Sequence, residues 1–453
     1  MRVSNRLLLA ASVATVALSL GASGPAFASG FALREMTADQ TAHAFAGGVS
    51  EANDPSTAYS NPAGMARVDG IQVQFDLNGI FPSASFSGGN SLGGVTTSGS
   101  TGNIVQSAAT GGLSVVGPLN DRINLGFAVT APYGQRVSNP QSWVGAQQSL
   151  VSSITDIAYS LAISYKVTDQ FSVGGGPVFD QFEARLTQGV NLTGAVYQAL
   201  YPLYNVAALP IAQATNAAGL NTGDMHGTDT GVGYNIGALY RMDEQTQIGI
   251  DYRSAISHNV IGTQTINPSA AVASLSPALA AGISAALSSV ASAKVTLPAS
   301  FSVGMTRQMT PDLTLMVEAQ WTGWSSLKTI NINTGNVNTA SSLNENWHDT
   351  YYFGVGADYK LNEKLTLKGG LGYDQSPVTL SNRTSRIPDG NRYIVGLGAG
   401  YAFTKSIRAD VGYAHLFVGN EGINNSAGAG VGTLVGKYND SADSVGLTLT
   451  IKL

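Results

Sequence analysis

The sequence contains no cysteine among its 453 residues. This absence excludes disulfide frameworks and thiolate metal sites. Charged residues are also scarce, at 11% of the chain, and the formal net charge of -5 argues against a nucleic-acid-binding protein. The 54 glycines follow no Gly-X-Y period, which excludes a collagen-like chain. Apart from the N-terminal region and one Ala/Ser-rich stretch, no apolar run has the length of a spanning helix.

Residues 1–28 have the pattern of a secretory signal peptide. Arg2 and Arg6 precede an apolar run, and a small-x-small cleavage site ends at Ala28. The run is too short for a comfortable membrane anchor. We therefore expect an exported protein whose mature chain begins at Ser29.

The later part of the chain alternates apolar and polar residues with a period of two. In the segment 313–321, one face is wholly apolar and the other carries Glu318 and Gln320. This period is typical of β-strands. The same alternation recurs at 351–359, 365–374, 407–413 and 445–452.

Two all-β architectures compete for this pattern, a soluble sandwich and a membrane barrel. Aromatic residues often stand at the ends of the apolar faces, as they do at lipid headgroups, and the opposite faces mix glycine with both signs of charge, which suits an aqueous lumen. Together with the export signal, this predicts a transmembrane β-barrel.

Short polar connections between strand-like segments give the number of strands. Six such turns join twelve strands, and a leading strand from about Ile71 and a closing strand near 444–453 make fourteen antiparallel strands. With an even number, both termini lie in the periplasm. The six turns are centred on Asn120-Asp121, Thr168-Asp169-Gln170, Asp243-Glu244, Thr310-Pro311-Asp312, Asn362-Glu363 and Thr404-Lys405.

A segment of irregular character, residues 29–69, precedes the strands. Asp54-Pro55 and Asn61-Pro62 each combine a capping side chain with a proline suited to the first helical position, which predicts short helical turns. The segment is too short to bury a core of its own. We expect it to form a plug inside the barrel, which would comprise residues 70–453.

Two long connections, near 191–224 and 267–294, carry apolar residues at helical spacing and predict amphipathic helices. The helices either pack on each other to close the mouth of the barrel or form an apolar groove that captures a hydrophobic ligand, and both can hold. The residues proposed for capture are Tyr197, Leu200, Tyr201, Tyr204, Leu275, Leu279, Ile283 and Leu287.

Several motifs in this order resemble the FadL family of outer-membrane long-chain fatty-acid transporters, and together they cover the mature chain. They are Ser29-Gly30-Phe31, Asn61-Pro62-Ala63-Gly64-Met65, Ala131-Pro132-Tyr133-Gly134, Trp321-Thr322-Gly323-Trp324-Ser325, Tyr373-Asp374-Gln375-Ser376-Pro377, Arg386-Ile387-Pro388-Asp389-Gly390-Asn391-Arg392 and Gly412-Tyr413-Ala414-His415-Leu416-Phe417.

The resemblance implies a fourteen-stranded barrel closed by an N-terminal hatch. It implies capture by extracellular loops, transfer to an internal pocket and sideways release at a kinked third strand. Carried onto this chain, Asn61, Pro62 and Ala63 belong to the hatch, Phe31 reaches into the pocket, and Gly126 is the candidate for the kink.

Three functional hypotheses remain open. The first is passive uptake of long-chain fatty acids or similar amphiphiles, the second is uptake of neutral hydrocarbons such as toluene, and the third is a surface or structural barrel without transport. The implied partners are the hydrophobic ligand, outer-membrane lipid and the barrel-assembly machinery, and we expect a monomer.

Catalysis finds little support in the sequence. The five histidines lack metal-ligand spacing, and no Gly-x-Ser-x-Gly elbow occurs. We therefore expect neither an enzyme nor a cofactor, and neither catalytic nor metal-binding residues.

Overall fold

The structure, a computed structural model, describes residues 30–335, 341–428 and 431–453. The expected signal peptide, residues 1–28, and Ser29 lie outside the described residues. Within the described ranges, no helix is both long and apolar enough to cross a membrane.

Twenty antiparallel strands in the described residues form one sheet. In chain order they are β1 Gln72–Leu92, β2 Val95–Ser100, β3 Ala108–Pro118, β4 Ile123–Thr130, β5 Gly134–Ser138, β6 Val151–Lys166, β7 Phe171–Val190, β8 Asn221–Arg241, β9 Thr246–Arg253, β10 Ile256–Asn267, β11 Ser289–Leu297, β12 Ser300–Gln308, β13 Leu313–Thr322, β14 Thr329–Thr334, β15 Ser341–Asn344, β16 Thr350–Lys360, β17 Leu365–Asp374, β18 Arg392–Ala402, β19 Ile407–Ser426 and β20 Thr433–Lys452.

The sheet closes into a barrel of fourteen strands, as the sequence predicts. Five barrel strands are interrupted and consist of two segments each, namely β4 with β5, β9 with β10, β11 with β12, β13 with β14 and β15 with β16. The short strand β2 only extends the hairpin that follows β1. Strands β1 and β20 pair with each other and close the barrel. Their paired residues run from Gln72 opposite Lys452 to Ser91 opposite Thr433.

The predicted alternation sets which side chains face outward. On β20, Val445, Leu447 and Leu449 are exposed, whereas the alternating positions Ser444 and Thr448 are buried. The other strands follow the same rule, so the apolar face meets lipid and the polar face lines the lumen. A shift of one residue would exchange the two faces, which is why the register is fixed.

The six short turns lie where the sequence predicts them, and they share one local structure. In each, a side-chain oxygen at the start of the turn accepts hydrogen bonds from the backbone N–H groups two and three residues later, as Asn120 does from Arg122 and Ile123. The side-chain oxygen thus accepts hydrogen bonds from backbone N–H groups of the turn in place of a carbonyl on a neighbouring strand. The other five acceptors are Thr168, Asp243, Thr310, Asn362 and Thr404.

In the part of the chain that the structure describes, the α-helices lie in the N-terminal segment and in the two long connections. In chain order they are α1 Ala38–Ala42, α2 Thr57–Ser60, α3 Thr193–Tyr204, α4 Ala208–Ala217, α5 Ala270–Leu275 and α6 Pro277–Leu287. Three short 3-10 helices cover Pro62–Arg67, Asn205–Ala207 and Trp324–Ser326. The predicted cap at Asn61 is present, since its Oδ1 accepts the N–H of Ala63 at 3.1 Å.

The N-terminal segment, residues 30–69, lies in the lumen and is bound by side chains from opposite walls of the barrel. Thr448 on β20 accepts the N–H of Ala38 at 2.9 Å, and Asn235 on β8 donates to the carbonyl of Tyr59 at 2.7 Å. On β4, Asn124 donates to the carbonyl of Met65. The segment therefore spans the width of the barrel.

Glycines on the inner wall make room for the backbone of α1. A Cβ atom on Gly396 or Gly412 would lie less than 3.0 Å from backbone atoms of α1, and one on Gly370 would collide with His43 in the same way. The high glycine content of the chain is in this respect a packing requirement, because a side chain at these positions would occupy the space of the helix.

We predict that Gly412→Leu unseats α1 from the barrel wall without breaking the barrel, because the new side chain points into the lumen. Single-channel recording should then detect ion conductance that is absent from the parent protein. The matched control is Gly111→Leu, on the exposed face of β3, where the nearest atom to a new Cβ lies 3.6 Å away. Equal conductance of Gly412→Leu and the parent would contradict the prediction.

Candidate functional site

The third barrel strand is broken at residues 131–133, between β4 and β5. Pro132 carries no N–H group and cannot donate to a ladder, which explains an interruption here. The sequence placed the kink at Gly126, but β4 runs through that residue with regular pairing to Val116 and Ala162. Because Gly126 has no Cβ atom, Met65 of the N-terminal segment packs closely against it.

The break coincides with a gap in strand pairing. Strand β3 pairs with β4 only over Leu113–Pro118, so in the described part of the chain Ala108–Gly112 have ladder partners on β1 alone. Above the break, β5 pairs with β6, and its contact with the preceding segment is a single bridge between Val105 and Val137. The wall is thus weakest beside residues 131–134.

The start of the N-terminal segment binds to this break from inside. Ala32 forms an antiparallel bridge with Tyr133, the N–H of Leu33 donates to the carbonyl of Pro132 at 2.8 Å, and the N–H of Gly134 donates to the carbonyl of Phe31 at 2.9 Å. Backbone groups at the break are therefore satisfied by the N-terminal segment.

Phe31 lies in an aromatic cluster. Its ring centroid is 5.0 Å from that of Trp324, 5.7 Å from that of Trp347 and 5.8 Å from that of Tyr133. Gly30 before it has φ of +67° and approaches Trp347 so closely that a Cβ would collide with the indole. The N–H of Gly30 donates to Oδ2 of Asp389 at 2.9 Å, which fixes the approach of the chain.

A cavity of about 930 Å³, partly open to solvent, lies against Phe31 and Trp347. Its wall is mostly apolar with a few polar groups, as is usual for ligand pockets. The apolar lining includes Ile154, Phe182, Leu186, Val260, Val295, Leu327, Ile330, Ile332, Leu343 and Ile387.

Two charged side chains line this cavity, Arg386 and Glu345. Arg386 is 5% exposed, and its guanidinium donates to Ser152 at 3.1 Å and to Gln188 at 2.5 Å. Among the described residues, no carboxylate oxygen lies within 4.0 Å of the guanidinium, so the cation has neutral partners only. Burial lowers the pKa of the guanidinium to about 10, which leaves it charged at neutral pH.

Glu345 lies in the irregular segment between β15 and β16. Burial raises the pKa of its carboxyl to about 7, and attraction to Arg386 acts in the opposite direction. Glu345 therefore changes charge near neutral pH. The cavity holds one permanent cation and one acid that is partly neutral.

A second, more polar space of about 850 Å³ lies on the other side of the aromatic cluster. It shares Tyr133 and Trp324 with that cluster and is lined by Ala32 and Leu33 of the N-terminal segment. Residues 31–33 thus stand between the two spaces and at the break in the wall.

Buried ion pairs and a histidine–carboxylate hydrogen bond hold the rest of the N-terminal segment. The Nη2 atom of Arg34 lies 3.1 Å from Oδ1 of Asp374, and Nε2 of His43 lies 2.7 Å from Oδ1 of Asp358. Lys368 on β17 contacts Asp39 of α1 and lies 3.4 Å from Asp410. Because unpaired charges are costly when buried, these pairs tie the segment to the wall.

The residues predicted for the hatch contact the part of the wall that β7 and β8 form. Asn61 is buried and donates to the carbonyls of Val49 at 2.7 Å and Ala238 at 3.2 Å. Ala63 accepts a hydrogen bond from Ser172 on β7 at 2.9 Å. Pro62 packs against Gly174 of the same strand. Asn61, Pro62 and Ala63 lie together, whereas Phe31 packs beside Tyr133 at the break, and Gly126 belongs to the wall itself and faces Met65.

The loop residues predicted to capture ligand divide into two groups. Leu200 and Ile283 are buried where the helices pack on each other, and Tyr197, Leu279 and Leu287 are partly buried against them. Tyr201, Tyr204 and Leu275 are exposed, as are Leu203, Val206 and Leu209 beside them. The helices therefore have both a packed core and an exposed apolar surface.

Comparison with known proteins identifies the family. Residues 19–453 match the model described as outer membrane protein transport protein (OMPP1/FadL/TodX). The chain belongs to this family. It is therefore an outer-membrane protein of a transporter family rather than of an enzyme family.

Relatives of the OMPP1/FadL/TodX family match along almost the whole chain. The long-chain fatty acid transport protein of Salmonella typhi is 24% identical over 416 residues, which cover 91% of this chain and 93% of the relative. The crystal structure of a Pseudomonas aeruginosa FadL homologue has a TM-score of 0.81 at 24% identity, covering 93% of this chain and 99% of that one. The Pseudomonas putida toluene transporter TodX has a TM-score of 0.66 at 17% identity, with 93% and 99% covered. The two structures show that the fold is shared.

Sequence reasoning missed Arg386 and Glu345. Arg386 begins one of the motifs that indicated the family, but its role at the cavity depends on Ser152 and Gln188, which lie far away in the chain. Glu345 has no local signal, because only its burial distinguishes it from surface acids.

We predict that Lys368→Met lowers the midpoint of heat-induced unfolding, since it leaves Asp39 and Asp410 buried without this cation at a cost of about 3 to 5 kcal/mol. The unfolding midpoint is measured from the change in electrophoretic mobility of the protein on heating. The double variant Lys368→Met/Asp39→Asn should recover part of the loss. The control, Lys294→Met, removes an exposed lysine and should have little effect. A single variant as stable as the parent, or a double variant no better than the single one, would refute the expectation.

Proposed function

We propose that the protein transports long-chain fatty acids, or amphiphiles of similar shape, passively across the outer membrane. The observation that carries this proposal is the apolar cavity of about 930 Å³ with the buried cation Arg386. An acyl chain fits the apolar wall, and a carboxylate fits a guanidinium that has no carboxylate partner among the described residues. The Salmonella typhi relative, named as a long-chain fatty acid transport protein, agrees with this substrate class.

Capture begins at the loop helices in this proposal. The exposed side chains of Tyr201, Tyr204 and Leu275 offer apolar surface to a ligand arriving from outside. Leu200 and Ile283 support that surface from the packed core between the helices. From there the ligand moves to the cavity, where Arg386 holds its carboxylate.

Release requires a change of shape, because burial of a long acyl chain is worth on the order of 10 kcal/mol at about 0.8 kcal/mol per methylene. Such affinity in a rigid pocket would make dissociation slow. Residues 29–69 act as the hatch. A ligand that displaces Phe31 would pull residues 31–33 away from Pro132 and Gly134 and free the break in the third strand. The ligand then leaves sideways beside Ala108–Gly112, without returning to water.

The remaining expectations are part of the same proposal. Residues 1–28 are a cleaved signal peptide, both termini face the periplasm, and the barrel-assembly machinery inserts a monomer into outer-membrane lipid. The protein catalyses no reaction and needs no cofactor.

Uptake of neutral hydrocarbons is the second candidate. Helices α3 to α6 contain no lysine or arginine, so the exposed capture surface offers no charge to a carboxylate. The structural neighbour TodX is named as a toluene transporter. A barrel without any transport role is the third candidate, and the cavity argues against it.

We predict that Arg386→Gln weakens oleate binding about 10- to 100-fold, because a charge-assisted hydrogen bond contributes about 1.5 to 3 kcal/mol. Binding of toluene should change little. Oleate binding to the purified protein and oleate uptake by cells lacking their own fatty-acid transporter measure the effect. Arg185→Gln removes an equal charge on the exposed face of β7 and serves as the control. Unchanged oleate affinity would contradict carboxylate recognition by Arg386, and absence of protein-dependent oleate uptake would contradict the function.

We predict that oleate affinity falls roughly tenfold as the pH rises through about 7. A fatty-acid carboxyl is already ionised above a pH of about 5. The acid that changes is Glu345, with a pKa of about 7, which is neutral below that pH and negative above it. Ionised Glu345 repels the ligand carboxylate and attracts Arg386, so affinity declines on the alkaline side.

Binding of oleate to Glu345→Gln over the same pH range provides the control, and its affinity should vary little. The other titratable group at the cavity is His226, which lies 3.0 Å from Glu183. A pH dependence that persists in Glu345→Gln would overturn the prediction.

A further inference from the structure

Three side chains outside the proposed transport path form a cluster on the inner wall. Asp156 lies on β6, Asp180 on β7 and His258 on β10. One oxygen or ring nitrogen from each lies within 4.8 Å of those from the other two. The curvature of the barrel brings these strands together, although the residues are far apart in the chain.

The cluster is buried and lacks hydrogen-bond partners. Asp156 and His258 are 0% exposed and Asp180 is 3% exposed. Among the described residues, no donor reaches either carboxylate oxygen of Asp156 or Oδ1 of Asp180, and Nε2 of His258 has no hydrogen-bond partner. Polar groups buried in this way carry a free-energy cost unless something binds them.

No cation of the described chain forms an ion pair with either acid, although Arg253 attracts Asp180 from a greater distance. The structure places no lysine or arginine nitrogen within 4.0 Å of Asp156 or Asp180 in the residues it describes. The nearby Arg253 donates to the carbonyl of Tyr59 at 2.7 Å and lies over the Tyr59 ring at 3.6 Å. Its position is thus fixed by the N-terminal segment.

The surroundings orient the imidazole of His258. Its ring stacks on Phe182 with centroids 4.9 Å apart, and its Nδ1 lies 3.3 Å from Oδ2 of Asp229. Gly231 leaves room for the ring, since a Cβ there would lie 2.6 Å from Cε1. A metal-bound histidine commonly has a carboxylate beside its second nitrogen, which fixes the tautomer.

We propose that Asp156, Asp180 and His258 bind one divalent metal ion that accepts mixed nitrogen and oxygen ligands, such as Zn²⁺ or Mn²⁺. Two carboxylates and one imidazole are a ligand set that both ions accept, and water completes the coordination. The ion neutralises the two acids and links β6, β7 and β10. It lies behind Phe182, whose ring lines the ligand cavity.

A second group of potential ligands, Asp39, His43 and Glu51, does not have these properties. Lys368 contacts Asp39, and His43 is 2.7 Å from Asp358. That group already has a cation and a partner, so we assign the metal to the first cluster alone.

The test uses the full mature protein in detergent, stripped with a chelator and then equilibrated separately with ZnCl₂ and MnCl₂. Metal retained after gel filtration is measured by mass spectrometry, and one ion per chain is expected for at least one metal. Asp156→Asn and His258→Gln should each weaken binding at least about tenfold. Asp440→Asn is the matched control, because Asp440 is also buried with both carboxylate oxygens unpartnered and lies outside the cluster.

Retention of neither metal by the parent, or equal retention by the parent and both cluster variants, would overturn the proposal. If a variant fails to assemble, as judged by its heat-dependent gel mobility, Mn²⁺ resonance spectra of the parent protein decide. A bound signal at one ion per chain with coupling to a histidine nitrogen supports the site, and a spectrum of free Mn²⁺ together with no retained Zn²⁺ in the parent contradicts it. Neither readout depends on transport.

Discussion

The hydrocarbon of a membrane offers no hydrogen-bond partner to a peptide group, and this constraint governs the whole molecule. Every backbone group in the wall must find a partner within the protein, which requires a closed ring of strands. The outward side chains must then be apolar, so the polar and charged residues of each strand collect inside. The lumen becomes a place where ion pairs and hydrogen bonds can form away from bulk water, and the N-terminal segment is held there by such contacts.

The same lumen explains why glycine and charge occur together. The helix near His43 approaches the wall at the glycines, where backbone meets backbone, and the ion pairs of Lys368 and Arg34 stand beside that contact. The glycines allow the helix to approach the wall closely but do not fix where it lies. The ion pairs fix one position of the helix, because its displacement would leave buried charges unpaired. Residues 31–33 differ, since they are held by backbone hydrogen bonds and aromatic packing. Displacement of residues 31–33 alone would therefore break no ion pair.

Local patterns predicted most of the fold. Strand alternation, the six short turns and the cap at Asn61 depend on residues close together in the sequence, and each is present in the structure. The helices in the two long connections were also predictable from spacing.

Features that depend on distant contacts were not predictable. The break in the third strand lies at Pro132 rather than at Gly126, because a glycine in a strand can serve close packing, here against Met65, as well as a bend. The role of Arg386 as the buried cation of the cavity was not predictable, because it depends on the residues that surround its side chain. The cluster of Asp156, Asp180 and His258 was not predictable either, because its three residues lie on different strands that come together only in the folded barrel.

Closure of the ring by the first and last strands also imposes an order on assembly. Strand β1 can pair with β20 only after the end of the chain has been delivered, and their contact extends over nearly their full lengths. Once that seam forms, residues 30–69 are enclosed, and the gap beside the third strand is too local to admit a folded segment. The N-terminal segment also contacts β20 itself, where Thr448 accepts the N–H of Ala38, so the part of the chain made first cannot complete its contacts until the part made last has arrived.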